Sequence, residues 1–302
     1  MYLFICLIPF ILLPLLGIYV GYRLLHPHRV SPEEAFQSQL QKGEISEEFL
    51  KKEKINFSIP SDFGYSITGF YFPGTADKVV IFSHGISWNK LGSAKYLDQF
   101  FKGNYTIVLY DHRGAGESGG KYPSFGFFEK FDLKKVKEFI KSRYPNTKVW
   151  GLFGESMGGA TVLQYTELDS EIHFIVSVCS FSSLNDLMKY HLKKNFIPKL
   201  LYKFILFFTE LYLGKVGGFH SSQINPLETI CKTKIPLFLS HGTDDKLVPY
   251  EMGKLLMESR EKIGPTFFLE GKGSGHTPYL YLNHKKEFEL ILEKFLDSFS
   301  KI

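Results

Sequence analysis

The sequence predicts an α/β fold with a mainly parallel β-sheet flanked by helices. Six short, almost continuous apolar runs recur along the 302-residue chain, and segments with helical periodicity such as FDLKKVKEFI separate most of them. Strands that are apolar along their whole length are typical of parallel sheets, whose two faces are both covered by helices. With 44% hydrophobic and 16% aromatic residues, the chain also has enough apolar side chains for a large core.

The predicted α/β domain begins with a hairpin. Apolar residues alternate in INFSIPS and in YSITGFYFP, and a turn is predicted between them at residues 61–64. The six buried strands follow in the order KVVIFSHG, YTIVLYD, TKVWGLFG, IHFIVSVCS, IPLFLSHG and PTFFLEG. A helical segment, FELILEKFLDSF, closes the chain. We expect residues 55–302 to form one domain.

Residues 181–228 are too many for a simple crossover between two strands. They lie between the fourth and fifth apolar runs, and their middle part has the sequence IPKLLYKFILFFTELYLGK. Its polar residues Lys199, Lys203 and Glu210 fall on roughly one face of a helix. This pattern predicts a helical cap inserted over one edge of the sheet.

The N-terminus predicts a membrane segment. MYLFICLIPFILLPLLGIYVGY contains no charged side chain before Arg23, and about 20 apolar residues suffice to span a bilayer. Because the basic start and the cleavage site of a signal peptide are not found, we expect residues 1–25 to form an uncleaved, single-pass anchor. A cleaved signal or a buried hairpin is the alternative. A polar linker, residues 26–54, follows with a helix start at Ser31. Arg23 and Arg29 favour a cytoplasmic catalytic domain but leave the membrane side open.

The charge and the cysteines exclude several classes of protein. A net charge of +5, from 36 Lys and Arg against 31 Asp and Glu, is too small and too dispersed for a nucleic-acid-binding protein. No group of Cys and His has the spacing of a zinc site, so we expect no metal. The three cysteines do not form a disulfide framework. We expect Cys179 and Cys231 to be buried free thiols, with a bridge between them as the alternative.

The pattern G-x-S-x-G, typical of a nucleophilic serine, occurs twice: around Ser118 in RGAGESGGKY and around Ser156 in FGESMGGA. Such a serine needs a sharp turn from a strand into a helix, with small residues on both sides. Ser156 meets this requirement, because the strand VWGLF precedes it and GGATVLQYTEL predicts a helix after it. Ser118 does not, because six turn-forming residues separate it from its strand and Lys-Tyr-Pro follows. We predict that Ser156 is the nucleophile.

RGAGESGGKY also contains G-x-G-x-x-G, residues 114–119, the pattern of a dinucleotide-binding turn. That turn has to open a helix, and Pro123 argues against one here. A P-loop is excluded as well, since Ala115 stands where its first glycine should be and Lys121 is followed by neither Ser nor Thr. We therefore expect no cofactor.

A serine nucleophile needs a histidine base that is oriented by a carboxylate. On a parallel sheet these residues follow in the order Ser, then Asp or Glu, then His. HGTDDKLVPY after the strand IPLFLS offers Asp244 and Asp245, of which we favour Asp245, and GKGSGHTPY after the last strand offers His276. His84 and His241 each precede a glycine at a strand end, where we expect them to brace loops.

Two backbone N–H groups are predicted to stabilise the oxyanion of the transition state. One belongs to Met157, directly after the nucleophile. The other belongs to the loop after KVVIFSHG, where Gly85 lets the chain turn and Ile86 is the favoured donor. An ordinary strand–helix turn would also fit the sequence SHGIS.

Together these motifs resemble the α/β-hydrolase superfamily, and more closely its bacterial serine-aminopeptidase-like and dipeptidyl-peptidase-like hydrolases with an N-terminal membrane segment. The resemblance covers about residue 55 to the C-terminus and rests on SHGIS, YDHRGAGESGGKYPSFGFFEKFDL, GESMGG, HGTDDKLVP and GSGH. It implies the α/β-hydrolase fold, assigns the acid of H-G-x-x-D-x-x-V-P to Asp245, and makes Ser118 a structural residue in a loop that borders the site. The insertion varies most in such proteins, so the resemblance implies no substrate.

Three functions fit these features. The first is a membrane-anchored serine hydrolase that cleaves acyl esters or thioesters through Ser156, His276 and Asp245; the apolar cap and the anchor favour a small-molecule or lipid-like acyl substrate. The second is a peptidase or aminopeptidase with the same triad, for which the cap should offer an acidic pair; its candidates are Asp186 and Glu210. The third is a catalytically silent, membrane-tethered binding protein. The sequence predicts no oligomeric state.

Overall fold

The computed structural model describes residues 2–299, with side chains from Leu12 onward, and has an eight-stranded sheet at its centre. The strands are β1 (Ile55–Pro60), β2 (Ser66–Phe72), β3 (Thr75–Ser83), β4 (Tyr105–Tyr110), β5 (Val149–Glu155), β6 (Phe174–Val178), β7 (Leu237–Gly242) and β8 (Thr266–Gly271). Their order across the sheet is β1-β2-β4-β3-β5-β6-β7-β8. β1 and β2 form the predicted antiparallel hairpin, β2 is also antiparallel to β4, and all other neighbours are parallel. The predicted fold class is confirmed.

Helices cover both faces of this sheet. The described helices are α1 (Tyr2–Leu25), α2 (Pro32–Gln41), α3 (Glu47–Lys51), α4 (Asp98–Lys102), α5 (Glu129–Arg143), α6 (Met157–Tyr165), α7 (Leu184–Lys194), α8 (Tyr202–Tyr212), α9 (Pro226–Ile230), α10 (Tyr250–Arg260), α11 (Tyr279–Asn283) and α12 (Lys285–Asp297). α7, α8 and α9 all lie between β6 and β7, where the sequence predicts the helical insertion.

Successive residues of β3 show why the strands are apolar throughout. Val80 and Phe82 pack on the face that α4 and α12 cover. Val79 and Ile81 pack on the opposite face, which α5 and α6 cover. Because both faces are buried, neither favours polar residues, and the alternation of a half-exposed strand is lost.

The first helix corrects the prediction of a membrane anchor. α1 packs along α8, and its glycines make the close approach possible: a Cβ on Gly17 would lie 2.5 Å from Ile205 O. A Cβ on Gly21, one helical turn further, would lie 2.8 Å from the Tyr212 ring. In the part of the chain that the structure describes, no helix is long and apolar enough to cross a membrane. The predicted single-pass anchor over residues 1–25 is therefore wrong, and the prediction of a membrane side loses its basis.

The physical reason is that α8 covers one face of this apolar helix, although Leu12, Leu15 and Ile18 remain exposed. The Thr209 hydroxyl of α8 donates a hydrogen bond to Gly17 O at 3.0 Å, and Leu25 at the end of α1 is fully buried. After α1 the chain remains in contact with the hydrolase domain, because Val30 N donates a hydrogen bond to Ser87 O at 3.0 Å. The N-terminal segment thus packs on the hydrolase domain and ends next to the loop after β3.

Two local predictions have different outcomes. The helix start at Ser31 is confirmed, because its hydroxyl accepts a hydrogen bond from Glu34 N–H at the start of α2. Cys179 and Cys231 are both free thiols, so no bridge joins them. Cys179 is buried as expected, but Cys231 is exposed, which corrects that part of the prediction.

Candidate active site

Ser156 lies at the tip of a sharp turn between β5 and α6. Its backbone has φ 54° and ψ −118°, a conformation that residues other than glycine rarely adopt. Neighbours without side chains make room for the turn: a Cβ on Gly158 would lie 2.0 Å from Ser83 O, and a Cβ on Gly154 would lie 2.2 Å from Gly158 O. This geometry lifts the Ser156 hydroxyl out of the backbone at the carboxyl end of the sheet.

The structure brings Ser156, His276 and Asp245 together. His276 follows β8, and its Nε2 lies 2.9 Å from Ser156 Oγ. Asp245 follows β7, and its Oδ2 lies 2.5 Å from His276 Nδ1. Because a carboxylate accepts, Nδ1 carries the proton, and Nε2 is then free to accept the Ser156 hydroxyl proton. The arrangement has the connectivity of a nucleophile, a base and an orienting acid.

The surroundings of Asp245 keep its carboxylate charged. Burial acts to raise the pKa of Asp245, but hydrogen bonds from His241 and His276 outweigh burial and hold that pKa well below its usual range. The N–H groups of Leu247 and Val248 donate to Oδ1 at 2.9 Å, which fixes the carboxylate plane. Asp244, the alternative acid, is exposed. The structure therefore places Asp245, and not Asp244, next to His276.

The two residues that are predicted to donate to the oxyanion, Met157 and Ile86, belong to segments that adjoin Ser156. Met157 is the first residue of α6, and the first N–H groups of a helix have no acceptor within it. Gly85 of the loop after β3 lies beside the serine, since a Cβ on it would be 3.7 Å from Ser156 Cβ. Ile86 follows in the same loop and packs in one apolar cluster with Met157. The role of these two N–H groups as oxyanion donors stays a prediction.

Ser118 has a different environment from Ser156. Its hydroxyl donates to Asp111 O at 2.7 Å and accepts from Thr68 N at 2.9 Å. No turn from a strand into a helix surrounds it, and the nearby glycines of the loop adopt positive φ at positions 114, 116 and 120. Ser118 therefore joins its loop to β2 and lacks the backbone turn that Ser156 has.

A buried ion pair stabilises the end of β5, directly before the turn that contains Ser156. No sequence pattern predicts this ion pair. Lys95 Nζ donates to Glu155 Oε2 at 2.9 Å, and the Tyr96 hydroxyl donates to the same oxygen at 3.1 Å. The Lys95 and Glu155 side chains are 4% and 2% exposed. Glu155 directly precedes Ser156, so the pair holds the end of β5 in place.

Lys95→Met should destabilise the fold strongly. The change leaves Glu155 buried without its cation, and the free energy of unfolding should fall by about 3–5 kcal/mol. Urea unfolding measures this loss. The double variant Lys95→Met with Glu155→Leu removes both charges and should recover most of the lost stability. A single variant as stable as the unchanged protein would contradict the role given to the pair.

Cys179 borders the triad without the properties of a ligand or a nucleophile. Its Sγ, a carboxylate oxygen of Asp245 and a ring nitrogen of His276 lie within 4.8 Å of one another. Burial, followed by the charge of Asp245, raises the pKa of the Cys179 thiol well above its usual value. A thiol that stays protonated is a poor metal ligand and a poor nucleophile. Cys179 therefore packs beside Asp245 as an apolar group.

The proteins that this chain resembles include hydrolases. The serine aminopeptidase (S33) family matches residues 74–223, a range that includes Ser156 and Ile86 but ends before Asp245. The uncharacterized protein YqkD of Bacillus subtilis is 29% identical over 288 residues, which cover 94% of this chain and 92% of that protein. A probable lysophospholipase L2 of Haemophilus influenzae is 26% identical over 164 residues, which cover 52% of this chain and 51% of that protein. The chain thus spans about half the length of that relative.

Solved structures show the same architecture. An esterase of Pyrococcus furiosus superposes with a TM-score of 0.70 at 24% identity, covering 91% of this chain and 98% of the esterase. A likeness at that identity establishes the fold, and the family match and the relatives establish the class of enzyme. The chain is therefore a serine hydrolase with the α/β-hydrolase fold, similar over residues 74–223 to the serine aminopeptidase (S33) family.

Proposed function

We propose that this protein hydrolyses acyl esters of lipid-like substrates through a covalent acyl-enzyme. The hydrogen-bond chain from Ser156 through His276 to Asp245 carries the proposal. Ser156 Oγ attacks the acyl carbonyl while His276 Nε2 takes the hydroxyl proton, and the N–H groups of Met157 and Ile86 hold the oxyanion. His276 then protonates the leaving alkoxide, and a water molecule repeats the steps to release the carboxylic acid. Thioesters would react by the same steps.

An apolar cluster beside the nucleophile supports an acyl substrate. Met157 and Ile86 pack in this cluster with residues from distant parts of the chain: Leu25 from α1, and Leu213 and Phe219 from the insertion between β6 and β7. Burying each methylene of an acyl chain contributes about 0.8 kcal/mol, so such surroundings favour longer chains.

The two candidate acidic residues of the insertion each have a partner nearby, which disfavours an aminopeptidase, although among the described residues the buried Oε1 of Glu210 has none. Asp186 accepts from Lys189 Nζ at 2.9 Å. Glu210 accepts from Ser221 N at 3.1 Å and lies 3.3 Å from His220 Nδ1. An aminopeptidase needs a carboxylate that is available to bind the substrate α-amine, and the names of the lysophospholipase and esterase relatives point to esters instead. The intact triad geometry likewise disfavours a silent binding protein.

A substrate panel tests this proposal on the full-length protein. We expect kcat/KM to rise from p-nitrophenyl acetate to octanoate, by up to about fourfold for each methylene that becomes buried. A monoacyl phospholipid should be hydrolysed, whereas amino-acyl p-nitroanilides should react at the background rate. Faster turnover of an amino-acyl anilide than of any ester would show that the protein is a peptidase.

A matched pair of variants tests whether the apolar cluster binds the acyl chain. Leu213→Ala should lower the ratio of octanoate to acetate hydrolysis, because Leu213 is fully buried in the apolar cluster. Leu290→Ala makes the same chemical change on α12, at a half-exposed side chain, and should leave the ratio unchanged. The ratio is insensitive to the fraction of folded protein, so a loss of stability does not imitate the effect.

A further inference from the structure

A small buried cavity lies behind the triad acid. It has a volume of about 10 Å³ and lies between the sheet and α10, with Ser177, His241 and Gly253 among its lining residues. That volume corresponds to about one water molecule, and a water needs two to four polar partners to be bound inside a protein. The lining residues decide whether the cavity offers such partners.

Three residues that line this cavity have buried, unpaired polar side-chain atoms: His241, Ser177 and Ser240. His241 is completely buried, and its Nε2 lies 2.9 Å from Val248 O. Because a carbonyl can only accept, Nε2 carries the proton and Nδ1 is the free ring nitrogen. Among the described residues, His241 Nδ1 and Ser177 Oγ have no hydrogen-bond partner. Each unpaired buried atom of this kind is destabilising, so a shared partner would stabilise both.

The strand register places both atoms on the same face of the sheet. Ser177 of β6 lies opposite Leu239 of β7, and His241 follows Leu239 by two residues. Side chains two residues apart on a strand point to the same face. Ser240 also lines the cavity, but by this alternation its side chain points to the opposite face, where its hydroxyl is buried and unpaired as well.

We propose that this cavity binds one water molecule, which bridges His241 Nδ1 and Ser177 Oγ, and that His241 held in this way is a positioning residue for Asp245. His241 Nε2 lies 3.3 Å from Asp245 Oδ2, the oxygen that also accepts from His276. The water donates one proton to Nδ1, which fixes the tautomer in which Nε2–H faces Val248 O and Asp245. The catalytic half of this inference rests on the proposed triad.

Two further observations support the role of His241. The hydrogen bond from His241 contributes to the low pKa of Asp245, against the effect of burial. The ring has little freedom to turn away, because α10 presses on it: a Cβ on Gly253 would lie 2.2 Å from His241 Nδ1. The imidazole is thus held between α10 and the acid, and its second nitrogen is left for the cavity.

A crystal structure of the full-length protein at about 1.5 Å resolution tests the water site. We expect a density peak within hydrogen-bond distance of both His241 Nδ1 and Ser177 Oγ. Direct contact between these two atoms, or a cavity without density, would overturn the proposed water. This result does not depend on catalysis, so it stays interpretable even if Ser156 proves not to be the nucleophile.

Variants of His241 test its positioning role. His241→Leu removes the donor to Asp245 and should lower kcat for an ester roughly 10- to 100-fold at unchanged KM, because His241 touches no substrate. The amide nitrogen of His241→Gln can replace Nε2, so this variant should stay within about threefold of the unchanged protein. Equal losses in both variants, or full activity of His241→Leu, would overturn the positioning role.

Ser177 and Ser240, which both have a buried and unpaired hydroxyl, supply a matched control for the water. Ser177→Ala removes one anchor of the bridge and should lower kcat several-fold without changing KM. Ser240→Ala removes a hydroxyl that is equally buried but on the other face, and should leave kcat unchanged. A loss with Ser240→Ala as large as with Ser177→Ala would show a general packing effect and overturn the specific bridge.

Discussion

Ser156→Ala should abolish ester hydrolysis, lowering kcat by about 10³- to 10⁶-fold. The alanine has no atom to attack the acyl carbonyl, and neither His276 nor the oxyanion donors can replace it. The measurement is p-nitrophenyl ester hydrolysis by the purified full-length protein. A fluorophosphonate probe should label the unchanged protein at Ser156 and leave the variant unlabelled. Residual activity above a tenth of the original would mean that another group attacks.

Ser118→Ala is the matched control, since Ser118 stands in the same five-residue pattern. Its hydroxyl bonds the backbone at Asp111 and Thr68, so its loss should reduce stability by about 1–3 kcal/mol. Activity per folded molecule should stay within a few-fold of the original. If Ser118→Ala were inactive and Ser156→Ala active, Ser118 would be the nucleophile and the assignment of Ser156 would be wrong.

The sheet could be predicted from the sequence because burial on both faces leaves a direct signature. Each parallel strand from β3 to β8 corresponds to one continuous apolar run, as the alternating contacts of Val79 and Val80 with opposite faces explain. The sequence could also place Ser156, Asp245 and His276 near one another, since all three follow the carboxyl ends of parallel strands. What such an argument cannot supply is their hydrogen bonding, which depends on the exact course of three loops.

The Lys95–Glu155 pair shows why part of the site could not be predicted. Its members lie 60 residues apart and belong to a short 3-10 segment and a strand end, so no local period relates them. The sequence alone does not show whether a lysine is buried or exposed. The burial of Lys95 becomes evident only from its packing against Tyr96 and the end of β5. No sequence pattern predicts that His241 Nδ1 and Ser177 Oγ lack hydrogen-bond partners either.

The N-terminal helix shows the opposite error, a strong pattern with the wrong consequence. Hydropathy reports that a segment avoids water, but it does not report what covers the segment. Gly17 and Gly21 become meaningful once α8 is known to pack against them. Since Leu25 joins the apolar cluster that contains Met157, α1 contributes to the surroundings of the nucleophile instead of extending away from the domain.

Asp245→Asn should lower kcat by about 10⁴-fold with little change in KM. The asparagine amide cannot accept the His276 Nδ1 proton as a carboxylate does, so the imidazole adopts the wrong tautomer and its Nε2 no longer accepts from Ser156. Asp244→Asn makes the same chemical change one residue earlier, on an exposed side chain, and should stay within about threefold. If Asp244→Asn caused the larger loss, the acid would be Asp244.

The pH dependence of stability gives the Asp245→Asn experiment a second measurement. The folded protein holds the pKa of Asp245 well below its usual range, so the charged carboxylate contributes stability above the pKa of about 3.9 that an unfolded Asp has. That contribution is lost as the pH falls through the lower pKa of the folded state. The stability difference between the unchanged protein and Asp245→Asn should therefore be constant from pH 7 to about pH 5 and shrink below pH 4. A difference that grew on acidification would mean that Asp245 is folded in its protonated form, and the proposed orientation of His276 would fail with it.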